Sequence, residues 1–229
     1  MKTRILTMLF FTAASMYAVE SSSDTRLRYS MEAFQDAMQS PEGIPRGLFN
    51  KSQCIVIVPD LMKGAFFVGG KYGRGFASCR HGGGWSSPAA VRIEGGSFGL
   101  QLGGSSTDLV MLVMNRRGMD HLLADKFTLG ADVEGAAGPV GRETSAQTDA
   151  VLDAEILTWS RSRGLFAGIS LEGATLRPDG GENRNLYGRE ISNRAILETG
   201  VPTPAGGQAF VAILNRQSRP TKTSSPSQK

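Results

Sequence analysis

Thirteen of the chain's 29 glycines fall between Gly64 and Gly104. A glycine inside a helix costs roughly 1 kcal/mol relative to alanine, so a stretch this dense argues against long helices and for strands joined by tight turns. Towards its end, Phe98, Leu100 and Leu102 alternate, and Ser105 to Thr107 makes a short polar break. Residues 109–114 (LVMLVM) then run apolar without interruption, long enough for a strand buried on both faces and too short to span a bilayer. Asn115 to Gly118 reads as a turn, and Met119, Leu122, Leu123 and Lys126 recur at the spacing of a short helix.

Upstream, residues 54–58 (CIVIV) read as a buried strand stopped by Pro59. Residues 65–68 and 75–79 flank Gly69-Gly70-Lys71-Tyr72-Gly73-Arg74, the pattern of a hairpin with a basic tip. A glycine-rich connection at 81–87 carries Trp85, and 89–93 leads back to the central stretch. Downstream, 154–160 reads as a strand with Leu157 and Trp159 on one face, although helical periodicity fits 154–159 nearly as well. Ser162-Arg163-Gly164 turns it into 165–171, a second hairpin. Residues 179–185 read as a loop, Ser192 as the cap of a short helix ending at Gly200, and 210–214 (FVAIL) as a closing strand.

The 229 residues suit one domain with terminal extensions. Residues 1–18 begin with Lys2 and Arg4 and continue into an apolar run, the pattern of a signal peptide. Met16 is an unusual residue three positions before a cut after Ala18, so a cut after Ser15 is the alternative. Residues 19–42 are expected to form an amphipathic helix, with Leu27, Met31, Phe34 and Met38 as one apolar stripe. That stripe suits either packing on the domain or facing a membrane. Its polar face mixes Arg26 and Arg28 with Glu32 and Asp36, unlike the Lys- and Arg-rich face usual for interfacial helices. Residues 43–215 form the expected domain, and 216–229 are expected to be a disordered basic tail.

An apolar content of 40% with 20% charged residues describes a folding chain. The formal net charge of +4 comes from the ends: residues 19–215 hold 19 basic and 21 acidic side chains. A duplex-binding domain normally carries its basic charge in its folded body, so no nucleic-acid partner is indicated.

Two cysteines and two histidines lie scattered, and no metal or other cofactor is expected. Cys54 and Cys79 fall on neighbouring expected strands. In an exported protein they would pair, and in a cytosolic one they would be buried thiols. Gly95 to Gly99 matches G-x-S-x-G around Ser97, but that motif needs an elbow into a helix, and the residues after it alternate like a strand. No phosphate-loop pattern occurs, since Gly70-Lys71 is followed by Tyr72. The remaining candidates are basic residues near turns: Lys63, Lys71, Arg74, Arg80, Arg116, Arg117, Arg161 and Arg163. Sharing one edge of the fold, they would make a rim for lipid phosphates; singly, they are solvated turn residues. Arg142, near Asp108 and Asp149 in pattern, reads as a loop clamp.

Residues 95–101, 105–108, 109–115, 126–130 and 137–142 together resemble the SYLF domain family. Agreement continues at Thr148-Asp149, 154–162, 165–173 and Tyr187-Gly188, and reaches back to 54–80, covering roughly residues 43–200. The resemblance implies binding to lipid membranes, actin association in some eukaryotic members, and no established catalysis. The expected fold is α+β: a curved, mainly antiparallel sheet with β-hairpins at 65–79 and 154–171, an N-terminal amphipathic helix and short covering helices. The expected function is non-enzymatic binding of an anionic phospholipid membrane by an exported, periplasmic or secreted protein. The alternatives are an envelope scaffold holding a protein partner at a sheet edge and, remotely, a serine hydrolase centred on Ser97.

Overall fold

The structure, a computed structural model, describes residues 21–66, 68–98, 103–139, 154–162, 165–168 and 171–218. A ten-stranded sheet curled into a half-barrel forms its centre, so the fold is α+β as expected. Strand β1 (Cys54–Phe66) pairs antiparallel with β2 (Val68–His81) on one side and with β5 (Gly103–Val113) on the other. β4 (Ala89–Phe98) pairs with β2, whose far end also meets the two-residue β3 (Gly84–Trp85). Beyond β4 lie β10 (Thr175–Pro178) and β6 (Phe127–Thr128). Beyond β5 lies β8 (Ile156–Ser162), which pairs with β9 (Leu165–Gly168) and runs parallel to β7 (Gly135–Ala137).

Residues 54–58 of β1 and 109–113 of β5 are apolar throughout because both faces of the sheet are covered there. On β5, Leu109, Met111 and Val113 enter one core with Cys54, Val56 and Val58 of β1. Val110 and Leu112 enter the opposite core with Ile55 and Ile57. The first core is closed by α3 (Arg116–Leu122), α5 (Asn193–Glu198) and the β6 segment. The second is closed by α1 (Ser22–Gln39), α2 (Arg46–Lys51) and α6 (Gln208–Ser218). α4 (Gly180–Tyr187) lies over β4.

Helix α1 begins where Ser21 accepts a hydrogen bond from the Asp24 amide at 3.1 Å. Leu27, Phe34 and Met38 of its stripe are buried in the second core, and Met31 packs half-buried against it. Full burial of Leu27 and Phe34 stabilises the docked helix by about 2 kcal/mol each. A buried polar cluster also holds the helix. Glu182 of α4 accepts from Ser23 at 2.8 Å and pairs with Arg26 and, at 3.1 Å, with Arg74 of β2. Arg161 of β8 pairs with Asp36 near the other end.

Four local expectations need correction. Pro59 does not end β1, because one extra residue there forms a bulge: the register slips between Ile57 and Met62 against β2 and between Val58 and Leu61 against β5. A bulge leaves the proline free of the ladder and lets Asp60 take φ +50°. The residues expected as a basic tip, Gly69–Arg74, lie within β2 instead, since β1 and β2 already pair at Phe66 and Val68. The glycines serve close approach: a Cβ on Gly75 would lie 1.9 Å from the Ile57 carbonyl oxygen, and one on Gly73 2.7 Å from a Val58 methyl. Residues 179–185 open a helix, with Asp179 accepting from the Glu182 amide at 3.2 Å and Gly188 ending it at φ +67°. The FVAIL run is helical in α6, burying Phe210, Ile213 and Leu214 at the i, i+3, i+4 spacing of one face. The hairpin expected at 154–171 is present as β8 and β9, and the helix capped by Ser192 is α5.

Candidate functional site

Beyond the bulge, β1 and β2 carry side chains that the cores do not cover. Met62 stands opposite Tyr72, and Lys63 stands opposite Lys71, so each pair takes one face of the same part of the sheet. Met62 is 61% exposed and Tyr72 46%. The flanking positions are small: Lys63 faces Ser105 on β5, and Lys71 faces Gly95 on β4. Two lysines directly opposite each other repel. Burial first, and then the charge of Lys71, hold the Lys63 ammonium below its ordinary pKa. Among the described residues, neither lysine has an acidic ion-pair partner.

The other candidate cations are engaged within the protein. Arg74 bonds Asp179 at 2.6 Å, which raises its pKa. Arg80 lies 4.2 Å from the Trp85 ring centroid and donates to the Phe49 carbonyl at 3.1 Å and to Ser218 at 3.0 Å. It joins β2 to α2 and α6, and its burial lowers its pKa. Arg116 pairs with Asp120 at 3.2 Å, and Arg117 with Glu155 at 3.2 Å, both at α3. Arg161 lies between Asp36 and Asp108. Burial, more than the neighbouring Asp60 and Asp36 charges, raises the pKa of Asp108 despite a hydrogen bond from the Asp60 amide. Arg163 and Arg142 lie outside the described residues. The structure therefore brings Lys63 and Lys71 together and engages Arg74, Arg80, Arg116, Arg117 and Arg161 elsewhere in internal contacts.

Ser97 sits on β4 with Gly69 of β2 as its register partner, without the strand-to-helix elbow of a hydrolase nucleophile. Cys54 and Cys79 form a disulfide, Cα to Cα 3.9 Å, across the β1–β2 ladder. Sequence reasoning missed Met62 and Tyr72. Their signal was the bulge, which alternation counted straight through Pro59 does not register.

Residues 94–217, more than half the chain, match the Ysc84 family, described as "Las17-binding protein actin regulator". The chain belongs to that family. The Ysc84 match is the SYLF resemblance read from the sequence. Among curated relatives, an SH3 domain-containing protein of Schizosaccharomyces pombe is 32% identical over 192 residues, covering 81% of this chain and 44% of its own length. The human SH3 domain-containing YSC84-like protein 1 is 32% identical over 174 residues, 75% of this chain and 51% of its own. Protein YSC84 of Saccharomyces cerevisiae is 29% identical over 175 residues, 75% and 37%. This Ysc84-family chain thus spans about half the length, or less, of the curated relatives it matches. Two of these relatives are named as SH3 domain-containing and the family description names a binding protein, which associates the family with protein partners.

Proposed function

We propose that this chain is a non-enzymatic module that attaches to anionic phospholipid membranes through the bulged, glycine-rich end of its sheet. Lys63 and Lys71 are the headgroup contacts. The observation that carries this reading is the unrelieved lysine pair. Two adjacent cations with no carboxylate paired to them among the described residues cost stability in the free protein, and a phosphate between them converts that cost into affinity. Small neighbours at Ser105 and Gly95 leave room for a headgroup. The exposed Met62 and Tyr72 on the other face of the same rungs suit the membrane interface, where one end of a side chain is apolar and the other wet.

Export is part of the proposal. The basic-then-apolar pattern of residues 1–18 supports it, and so does the buried disulfide, which is characteristic of oxidising compartments. An exported bacterial-type protein would meet phosphatidylglycerol, cardiolipin or lipid A-like headgroups.

The test is co-sedimentation with neutral and anionic vesicles at low and high salt. Wild-type protein is expected to bind the anionic vesicles alone and to release as salt screens the contact. Lys63→Gln/Lys71→Gln should lose that binding, and Arg116→Gln/Arg117→Gln should keep it. Undiminished binding by the lysine variant would remove these residues from the site. A second reading, an envelope scaffold holding a protein partner, rests on the family's "Las17-binding" description and on β7, which ends the sheet with one side unpaired among the described residues. It becomes the better reading if no vesicle is bound.

A further inference from the structure

Past the bulge, β5, β1, β2 and β4 continue side by side beyond both cores. The last core residues on them are Leu109, Leu61, Phe76 and Ile93, and among the described residues nothing from 62 to 75 joins either core. Register sorts this projecting end into rows. Met62 stands opposite Tyr72, and Lys63 opposite Lys71 on the next rung. Gly104, Gly64, Gly70 and Gly96 then form one row across the four strands, and Phe66, Val68 and Phe98 share the last. Between the lysine rung and that last row the four strands carry no charged residue. The glycine row is bare: a Cβ on Gly96 would meet nothing within 4 Å, and one on Gly70 only the Gly95 carbonyl oxygen at 4.0 Å.

The positions of the two side-chain pairs decide how a membrane can meet this end. They take opposite faces of the sheet on neighbouring rungs, so a bilayer lying against either face reaches one pair and leaves the other in water. End-first entry brings both to the headgroup layer. There the ammonium groups meet phosphate, and the exposed Tyr72 keeps its ring in apolar surroundings and its hydroxyl wet. Three residues separate Lys63 from Phe66, about 10 Å at the rise of a strand. The headgroup layer on each side of a bilayer is about 5–8 Å thick. With phosphate at the lysine pair, the last row therefore falls just inside the hydrocarbon. Pairing also sets the limit of entry. β4 meets β10 only as far as Glu94, and β5 meets β8 only as far as Asp108, so among the described residues both outer edges are open beyond those points. Open edges are not tolerated deep in hydrocarbon, which keeps the insertion shallow.

We propose that this end of the sheet enters an anionic bilayer end-first, with the Phe66–Val68–Phe98 row passing the phosphates held by Lys63 and Lys71 and anchoring in the acyl layer. The inference rests on the lipid reading above and adds to it an apolar anchor and an orientation. Charge complementarity names the occupant: cations set back from an uncharged, apolar end match a surface whose anionic layer lies outside an apolar one. The two parts act differently. The lysines draw the chain to the surface, a salt-sensitive step, and the last row holds it there through apolar burial, which salt does not screen.

Fluorescence of the full chain on phosphatidylglycerol vesicles with brominated acyl chains tests the proposal. The native Trp85 and Trp159 are buried, so an added tryptophan reports its own depth. The added emission of Phe66→Trp should be quenched about twofold more strongly than that of Tyr72→Trp, whose reporter stays with the headgroups. Equal or weaker quenching at position 66, with the vesicles still bound, overturns end-first entry and leaves the lysine contact standing. Failure of the wild-type chain to bind anionic vesicles removes the lysine reading, and end-first entry with it. Phe66→Ser/Phe98→Ser, checked for folding by circular dichroism, should bind about tenfold more weakly at low salt with an unchanged salt dependence, whereas Lys63→Gln/Lys71→Gln flattens that dependence. Undiminished affinity in the serine variant also overturns the proposal, and the tryptophan variants keep the test decisive if the serine variant does not fold.

Discussion

Lys63 is asked to serve stability and recognition at once, and the two demands conflict. Its ammonium titrates below the ordinary 10.5 because of burial and then Lys71. Between that lowered value and 10.5 the unfolded chain holds the proton more often than the folded one, so stability rises with pH across this window. Below the window the charged side chain is a standing cost. Lys63→Met should therefore stabilise the protein at neutral pH by about 0.5 kcal/mol in urea unfolding, while weakening attachment to anionic vesicles. A variant that loses both stability and attachment would make Lys63 a structural residue. Asp179 has the opposite sign. Burial alone would raise its pKa, but hydrogen bonds from Arg74 and the Glu182 amide, with the charges of Arg74 and Arg92, hold it below 3.8. Its stabilisation is present above pH 3.8 and lost as pH falls through the lowered value. Asp179→Asn should accordingly be less stable than wild type near neutrality, with the difference vanishing in strong acid; a difference that persists there would contradict the assignment.

Among the elements, α1 shows what the sequence could and could not reveal. Its apolar stripe was legible from spacing alone. Which surface the stripe meets was not, because Leu27, Phe34 and Met38 suit a protein core as well as a bilayer. The deciding groups, Glu182, Arg74 and Asp36 with its Arg161 partner, are distant in the chain or carry no apolar signal. Phe34→Ala should cost about 4 kcal/mol in denaturant unfolding, as expected for a fully buried aromatic. A cost under 1 kcal/mol would mean that the helix is not docked in solution. The same contrast runs through the chain. Residues 109–113 declared themselves because a strand covered on both faces leaves no polar alternation. FVAIL misled because its residue types suit a strand while its buried positions follow a helical face. Gly180-Gly181 concealed a helix start that Asp179 caps. The lysine pair was half-legible: both residues were singled out, but their opposition depends on the Phe66–Val68 pairing that sets the register of β1 and β2, and on the bulge.

For the whole molecule, the disulfide joins the two innermost strands of the sheet at the end away from their turn. Closing a loop with a sequence separation of 25 should stabilise the fold by about 3 kcal/mol. Cys54→Ala/Cys79→Ala should lower unfolding stability by that order; an unchanged midpoint would make the bridge dispensable. The bulge at Pro59 has a wider consequence. Before it, the even-numbered residues Cys54, Val56 and Val58 enter the first core; after it, odd-numbered Leu61 does, and Lys63 shares that face. The strand is thus written in two frames, and the extra residue is the frameshift. A relative lacking one residue at this point would still present its lysine on the same side, whereas one lacking two would turn the following segment over. Single-residue gaps at 59–60 between family members are therefore expected to be silent, and double ones to exchange the faces of the lysine pair and the Met62–Tyr72 pair.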